Sequence, residues 1–182
     1  MKIVTAIVLF VLALSVCALA QTSPEIDKAV LAAPAQMAAA ATVIKWKADF
    51  TYDTLRKGTN KLVCYDRPVA PGSTQVFSVE CTSLTNLERV AQSLKIETIV
   101  DPMARRTAFE DAEKAGKWTK PEYGSVFYNM TGTTQATARL HATICVPGAT
   151  KATMGLPENG DQGGAWIMNA GTSAAHLMTP GH

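Results

Sequence analysis

None of the short motifs that announce a reaction occurs in this chain of 182 residues. It has no nucleophile elbow, no zinc-binding helix motif, no dinucleotide fingerprint and no phosphate-cradling Walker loop. An excess of one charge is also lacking: Lys and Arg number 17 against 15 Asp and Glu, a net +2. Arg105-Arg106 is only a pair, and Lys45, Lys47, Arg56, Lys57 and Lys61 are spaced out. Binding to nucleic acid therefore has little electrostatic support. Past the N-terminus no apolar run is long enough to cross a membrane. Internal repeats are absent as well.

The N-terminus itself is informative. Met1-Lys2 is a short basic start, residues 3–14 are almost continuously apolar, and Ala18-Leu19-Ala20 is a small-x-small site before Gln21. That is the layout of a secretory signal peptide. A lipid-anchored reading through Cys17 fails on Val16, where a small residue is required. Removing the first 20 of 182 residues leaves 162, enough for a single domain, residues 21–182, with a real core. The net charge falls to +1 because Lys2 leaves. The expected location is periplasmic or secreted.

Cys64, Cys81 and Cys145 remain after cleavage. In an oxidising compartment the pair closest in sequence is favoured, so a Cys64–Cys81 bridge is expected. Residues 62–66 and 75–81 read as strands joined by the Pro-Gly loop at 68–73. Paired antiparallel, positions summing to about 141 to 145 face each other, and Cys64 with Cys81 falls within that range, which suits the bridge. Cys145 is then a small buried thiol.

The chain is best organised around residues 124–146, a β-hairpin. Its second arm alternates, with Ala138, Leu140, Ala142, Ile144 and Val146 on one face and Arg139, His141, Thr143 and Cys145 on the other. A period of two predicts a strand with its apolar face buried. A second hairpin is expected at residues 165–178. Ser23-Pro24-Glu25 reads as a helix start. Thr85-Asn-Leu-Glu88 reads as a capping box before the stripe Leu87, Val90, Ala91, Leu94. Asp101-Pro102 opens a further helix ended by Gly116, with a thin stripe of Ala104, Ala108, Ala112 and Ala115 beside Phe109. The spacing there also predicts a Glu110–Lys114 pair. The sum is α+β: an antiparallel sheet built from sequential hairpins with two or three helices packed on one side.

Residues 41–47, 60–66, Tyr123-Gly-Ser-Val and 163–178 together resemble a family of small exported bacterial proteins. The resemblance spans most of the mature chain. It implies export and a bacterial source, and it assigns no activity and no catalytic residue.

Candidate chemistry is sparse. Cys145 and His141 share a strand face but sit about 13 Å apart, too far for a nucleophile and its base. His176 and Met178 lie about 7 Å apart on one face, and imidazole with thioether suits cuprous copper. Met168 or Trp166 can join them from the partner strand. The glycines of residues 155–164 precede a strand, so they make no phosphate cradle, and Glu158, Asn159 and Asp161 complete no calcium loop. Asn129-Met-Thr131 matches a glycosylation acceptor, which carries no weight in a bacterial protein. The leading expectation is a non-enzymatic binding domain of the cell envelope, taking a small ligand or an envelope protein and needing no cofactor. The alternatives are an exported enzyme built from His141, Glu80, Tyr128 and His176, and a copper-binding protein using His176 and Met178.

Overall fold

A computed structural model describes residues 23–179. The expected signal peptide lies outside the described residues. Helix α1 (Pro24–Ala29) and the short α2 (Ala35–Ala38) precede strands β1 (Thr42–Trp46), β2 (Tyr52–Arg56), β3 (Leu62–Asp66) and β4 (Phe77–Ser83). Helices α3 (Leu87–Glu97) and α4 (Pro102–Lys114) follow, then β5 (Val126–Gly132), β6 (Arg139–Cys145), α5 (Lys151–Met154), β7 (Trp166–Met168) and β8 (His176–Met178). The eight strands of the described residues join one sheet in the order β2-β1-β3-β4-β5-β6-β8-β7.

The class is α+β, but the sheet is mixed. β1 and β3 run parallel, while the other neighbours are antiparallel. The expectation of sequential hairpins fails because the chain crosses the start of β1 after β2, through residues 57–61. Gly58 makes this possible. A Cβ there would lie 2.3 Å from the Thr42 nitrogen and 2.4 Å from the Ala40 oxygen, inside backbone atoms. The Thr59 and Asn60 amides then donate to the Ala40 carbonyl at 2.8 and 3.1 Å. Arg56 secures the crossing from its other side, donating to the carbonyls of Ala38 at 2.6 Å and Ala41 at 3.0 Å.

Strand alternation divides the core between two sheet faces. On the first, Val43, Cys64, Val79 and Cys81 pack against Ile26, Ala29 and Ala32 of the N-terminal helical segment. On the second, Ile44, Val63 and Tyr65 pack against Leu87, Val90 and Leu94 of α3. Helices thus cover both faces, not one as the sequence suggested. Each face must bury its own apolar row, because both alternate positions of β3 are apolar. A smaller cluster of Val146, Ala149, Ile167 and Ala175 closes the far edge.

Cys64 and Cys81 are register partners on β3 and β4 and are bridged. Cys145 is buried and free. The 124–146 hairpin forms as β5 and β6, but its apolar face is not buried as expected. Leu140 is 56% exposed and Ile144 39%, because the N-terminal helical segment lies over β3, β4 and part of β5, short of β6. Alternation identified two faces of that strand; neither is deeply covered before Cys145 at its end.

Both proline-led helices start as their sequences indicate. The Ser23 and Asp101 side chains accept from the third amide of α1 and α4. The capping box at Thr85 does not form. Thr85 sits in a tight turn before α3 and its hydroxyl donates to Glu122 at 2.6 Å. Asn86 takes the cap position, with its side chain drawn away to Thr82 and Ser125. On α4, Glu110 pairs with Arg106 at 3.0 Å rather than with Lys114.

Candidate functional site

The second sheet face carries a row of polar side chains across four strands. Tyr65, Glu80, Asn129 and His141 are successive register partners on β3, β4, β5 and β6. Glu80 is only 4% exposed. Its carboxylate accepts from the Tyr65 hydroxyl and from Asn129 Nδ2 at 2.8 Å, and Arg67 Nε lies 3.3 Å away. Arg67 then makes a bidentate pair with Glu97 of α3, at 2.7 and 2.9 Å. A buried carboxylate is tolerated only when paired and hydrogen-bonded in this way.

These contacts set the protonation states. Burial first, then the Glu80 charge, pushes the Tyr65 hydroxyl well above its ordinary value, so it stays a donor. Burial alone would lower Arg67, but the Glu80 and Glu97 charges outweigh it and hold the guanidinium firmly charged. Charged or polar side chains this enclosed and this perturbed are common beside functional clefts.

Such a cleft opens alongside. It has a volume of about 340 Å³ and lies between α4 and the ends of β4 and β5. Ser78 and Thr131, register partners, contribute to its floor, Arg67 and Glu97 line one side, and Arg105 and Phe109 of α4 line the other. Four residues apart on a helix, Arg105 and Phe109 share a face. The stripe that α4 turns inward is Arg105, Ala108, Phe109, Ala112 and Glu113, all half-buried, whereas Ala104 and Ala115 are exposed. Its stripe therefore carries charge, where the sequence suggested alanine.

The same stripe anchors α4. The Phe109 ring lies 4.9 Å from that of Trp118, and Arg89 stacks on Trp118 at 3.6 Å. Arg89 donates to the Thr119 carbonyl at 2.7 Å and to the Ser173 hydroxyl at 3.2 Å. Glu113 accepts from the Ser173 amide at 2.7 Å and from its hydroxyl. Partial burial pushes the Glu113 carboxyl up, but the two Ser173 donors and the Arg89 and Lys120 charges outweigh it, so its pKa is lowered. Burial pushes Arg89 down to about 10, still charged at neutral pH.

Of the residues proposed for an enzyme, Glu80 and His141 share the polar row, separated by Asn129. Tyr128 occupies the opposite face, packed against the first core. His176 pairs with Cys145, four residues along β6 from His141 and about 13 Å away. The four do not converge on one cleft. His176 and Met178 do share a face of β8, opposite Met168 and Trp166 of β7 respectively.

Two other features frame the molecule. A cleft of about 280 Å³ lies between α1 and β1, rimmed by the Lys28–Asp66 and Lys45–Glu25 pairs at 2.5 and 2.6 Å. Trp46 packs edge-on against Tyr52 and Tyr65, and its Nε1 is the one buried side-chain polar atom among the described residues without a hydrogen-bond partner. Among the described residues no helix is long and apolar enough to cross a membrane.

Arg105 was legible only as half of a basic pair. The signal that marks it is its spacing of four from Phe109, the single bulky apolar residue in the middle of α4. Comparison of the chain with protein-family models, with curated proteins and with solved structures finds no match.

Proposed function

We propose that the protein is an exported bacterial binding domain without enzymatic activity, whose ligand is a small carboxylate held beneath α4. The observation that carries this reading is Arg105. It lines the cleft opposite two hydroxyl side chains, and among the described residues its guanidinium makes no ion pair. A guanidinium fork matches a carboxylate with two parallel hydrogen bonds. Ser78 and Thr131 supply further donors, and Phe109 offers an apolar wall for the ligand's carbon skeleton. Arg67 is already committed to Glu80 and Glu97, so it shapes the cleft without meeting the ligand's charge. A concave site with a few convergent polar groups is the usual form of a small-molecule pocket.

Export rests on the signal-peptide layout of residues 1–20 and on the resemblance to small exported bacterial proteins. The Cys64–Cys81 bridge is compatible with an oxidising compartment. Intact-mass measurement of protein from the cell envelope is expected to give a chain starting at Gln21; a chain that keeps residues 1–20 contradicts export.

Binding is tested by thermal unfolding with succinate, citrate and benzoate in excess. A ligand at a hundred times its dissociation constant stabilises the fold by ~2.7 kcal/mol. At least one of the three is expected to raise the melting temperature of the wild type and to leave Arg105→Gln unmoved. An equal rise in both proteins, or no rise with any of the three, contradicts the proposal.

A further inference from the structure

The far edge of the sheet places a set of soft donors in one row, on the face opposite the Ile167 cluster. His176 of β8 has Cys145 of β6 as its register partner on one side and Met168 of β7 on the other. Residues directly opposite each other across neighbouring strands hold their Cβ atoms about 4.5–5.5 Å apart. Met178 is two residues beyond His176 on the same face and is partnered by Trp166. Thiol, imidazole and two thioethers are thus gathered within one patch, and Met168 is 39% exposed there.

The imidazole is already oriented. His176 Nδ1 lies 2.8 Å from the Ala174 carbonyl oxygen. A carbonyl only accepts, so Nδ1 carries a proton, and in the neutral ring Nε2 is the nitrogen with the lone pair. Metal-bound histidines characteristically use a backbone carbonyl in this way to fix the ring and its tautomer. The neighbouring donors choose the metal. Among the described residues no three His, Cys, Asp or Glu side chains gather, so the hard and borderline ions lack a ligand set. Thiolate and thioether with one imidazole select cuprous copper.

We infer that Cys145, His176 and Met168, with Met178 beside them, form a cuprous-ion site independent of the carboxylate cleft. On binding, the Cys145 thiol gives up its proton to solvent and the thiolate, His176 Nε2 and the Met168 thioether bond to the ion. No change of oxidation state is involved. Cys145 is free to serve because Cys64 and Cys81 are bridged to each other.

The test is an anaerobic titration of the disulfide-bonded protein with cuprous ion against bicinchoninate. One ion per chain is expected. His176→Ala and Met168→Leu, both at positions that are not buried, each weaken binding by more than tenfold, while His141→Ala leaves it unchanged. Copper X-ray absorption of the loaded protein supplies the second measurement, with one nitrogen and at least two sulfur ligands expected. Affinity unaffected by His176→Ala, or a sulfur-only absorption spectrum, overturns the site. Because Arg105 takes no part, Arg105→Gln is expected to bind copper like the wild type, so failure here is separable from failure of carboxylate binding.

Discussion

Arg105 and Phe109 stand one helical turn apart on α4 and line the same cleft over Ser78 and Thr131. One is a charge without an ion-pair partner among the described residues, and the other fastens the helix through Trp118 and Arg89. A helix with no fully buried residue is thereby held at a fixed height above the sheet.

Arg67 neutralises two carboxylates at the cleft's inner wall. Replacing it by alanine leaves Glu80 buried beside Glu97 without a cation, which costs about 3–5 kcal/mol. The exposed Arg106–Glu110 pair is the control, and Arg106→Ala is expected to cost no more than about 0.5 kcal/mol. Urea unfolding of the two variants checks this. Similar losses would show that the Glu80 network contributes no more than a surface pair.

Glu113 gives the fold an acid limb. Its folded pKa lies below the ordinary value, so its stabilising share is complete above the unfolded pKa, about 4.3, and is lost as pH falls through the lower folded value. The stability difference between wild type and Glu113→Gln is therefore expected to be largest near neutral pH and to shrink at and below about pH 4. A difference that stays constant across that window contradicts the role given to the Ser173 donors.

Gly58 fixes the order of the first three strands. A methyl group there overlaps the backbone at Ala40, Ala41 and Thr42, so Gly58→Ala is expected to cost about 3 kcal/mol or more. A loss under about 1 kcal/mol would mean that the crossing has room to spare.

Strands β7 and β6 separate alternation from burial. Ile167 is fully buried, and Ile167→Ala is expected to cost about 2–5 kcal/mol. Leu140→Ala, at a position 56% exposed, should cost under about 1 kcal/mol. Equal losses measured by thermal unfolding would place a cover over β6.

How much of this was readable from the sequence depends on the range of the interaction involved. The Cys64–Cys81 pairing was legible because one short loop sets its register. Ser23, Asp101 and Gly116 marked helix ends because capping is decided within four residues. The parallel seating of β3 beside β1 was not legible, since it depends on a backbone crossing between segments some 16 residues apart, Gly58 against Thr42. The exposure of Leu140 escaped for a related reason. A period of two distinguishes the faces of a strand, but which face is covered depends on helices distant in sequence. Arg105 was hidden by the alanines around it, whose small side chains suggested an inward stripe that the charged residues in fact occupy.

The most direct test of the central claim is a crystal structure of the protein grown with whichever of succinate, citrate or benzoate gives the full thermal shift. The expected result is ligand density between α4 and the sheet, with a carboxylate paired to the Arg105 guanidinium and within hydrogen-bond reach of Ser78 or Thr131. An empty cleft under those conditions, or density only in the groove between α1 and β1, would contradict it.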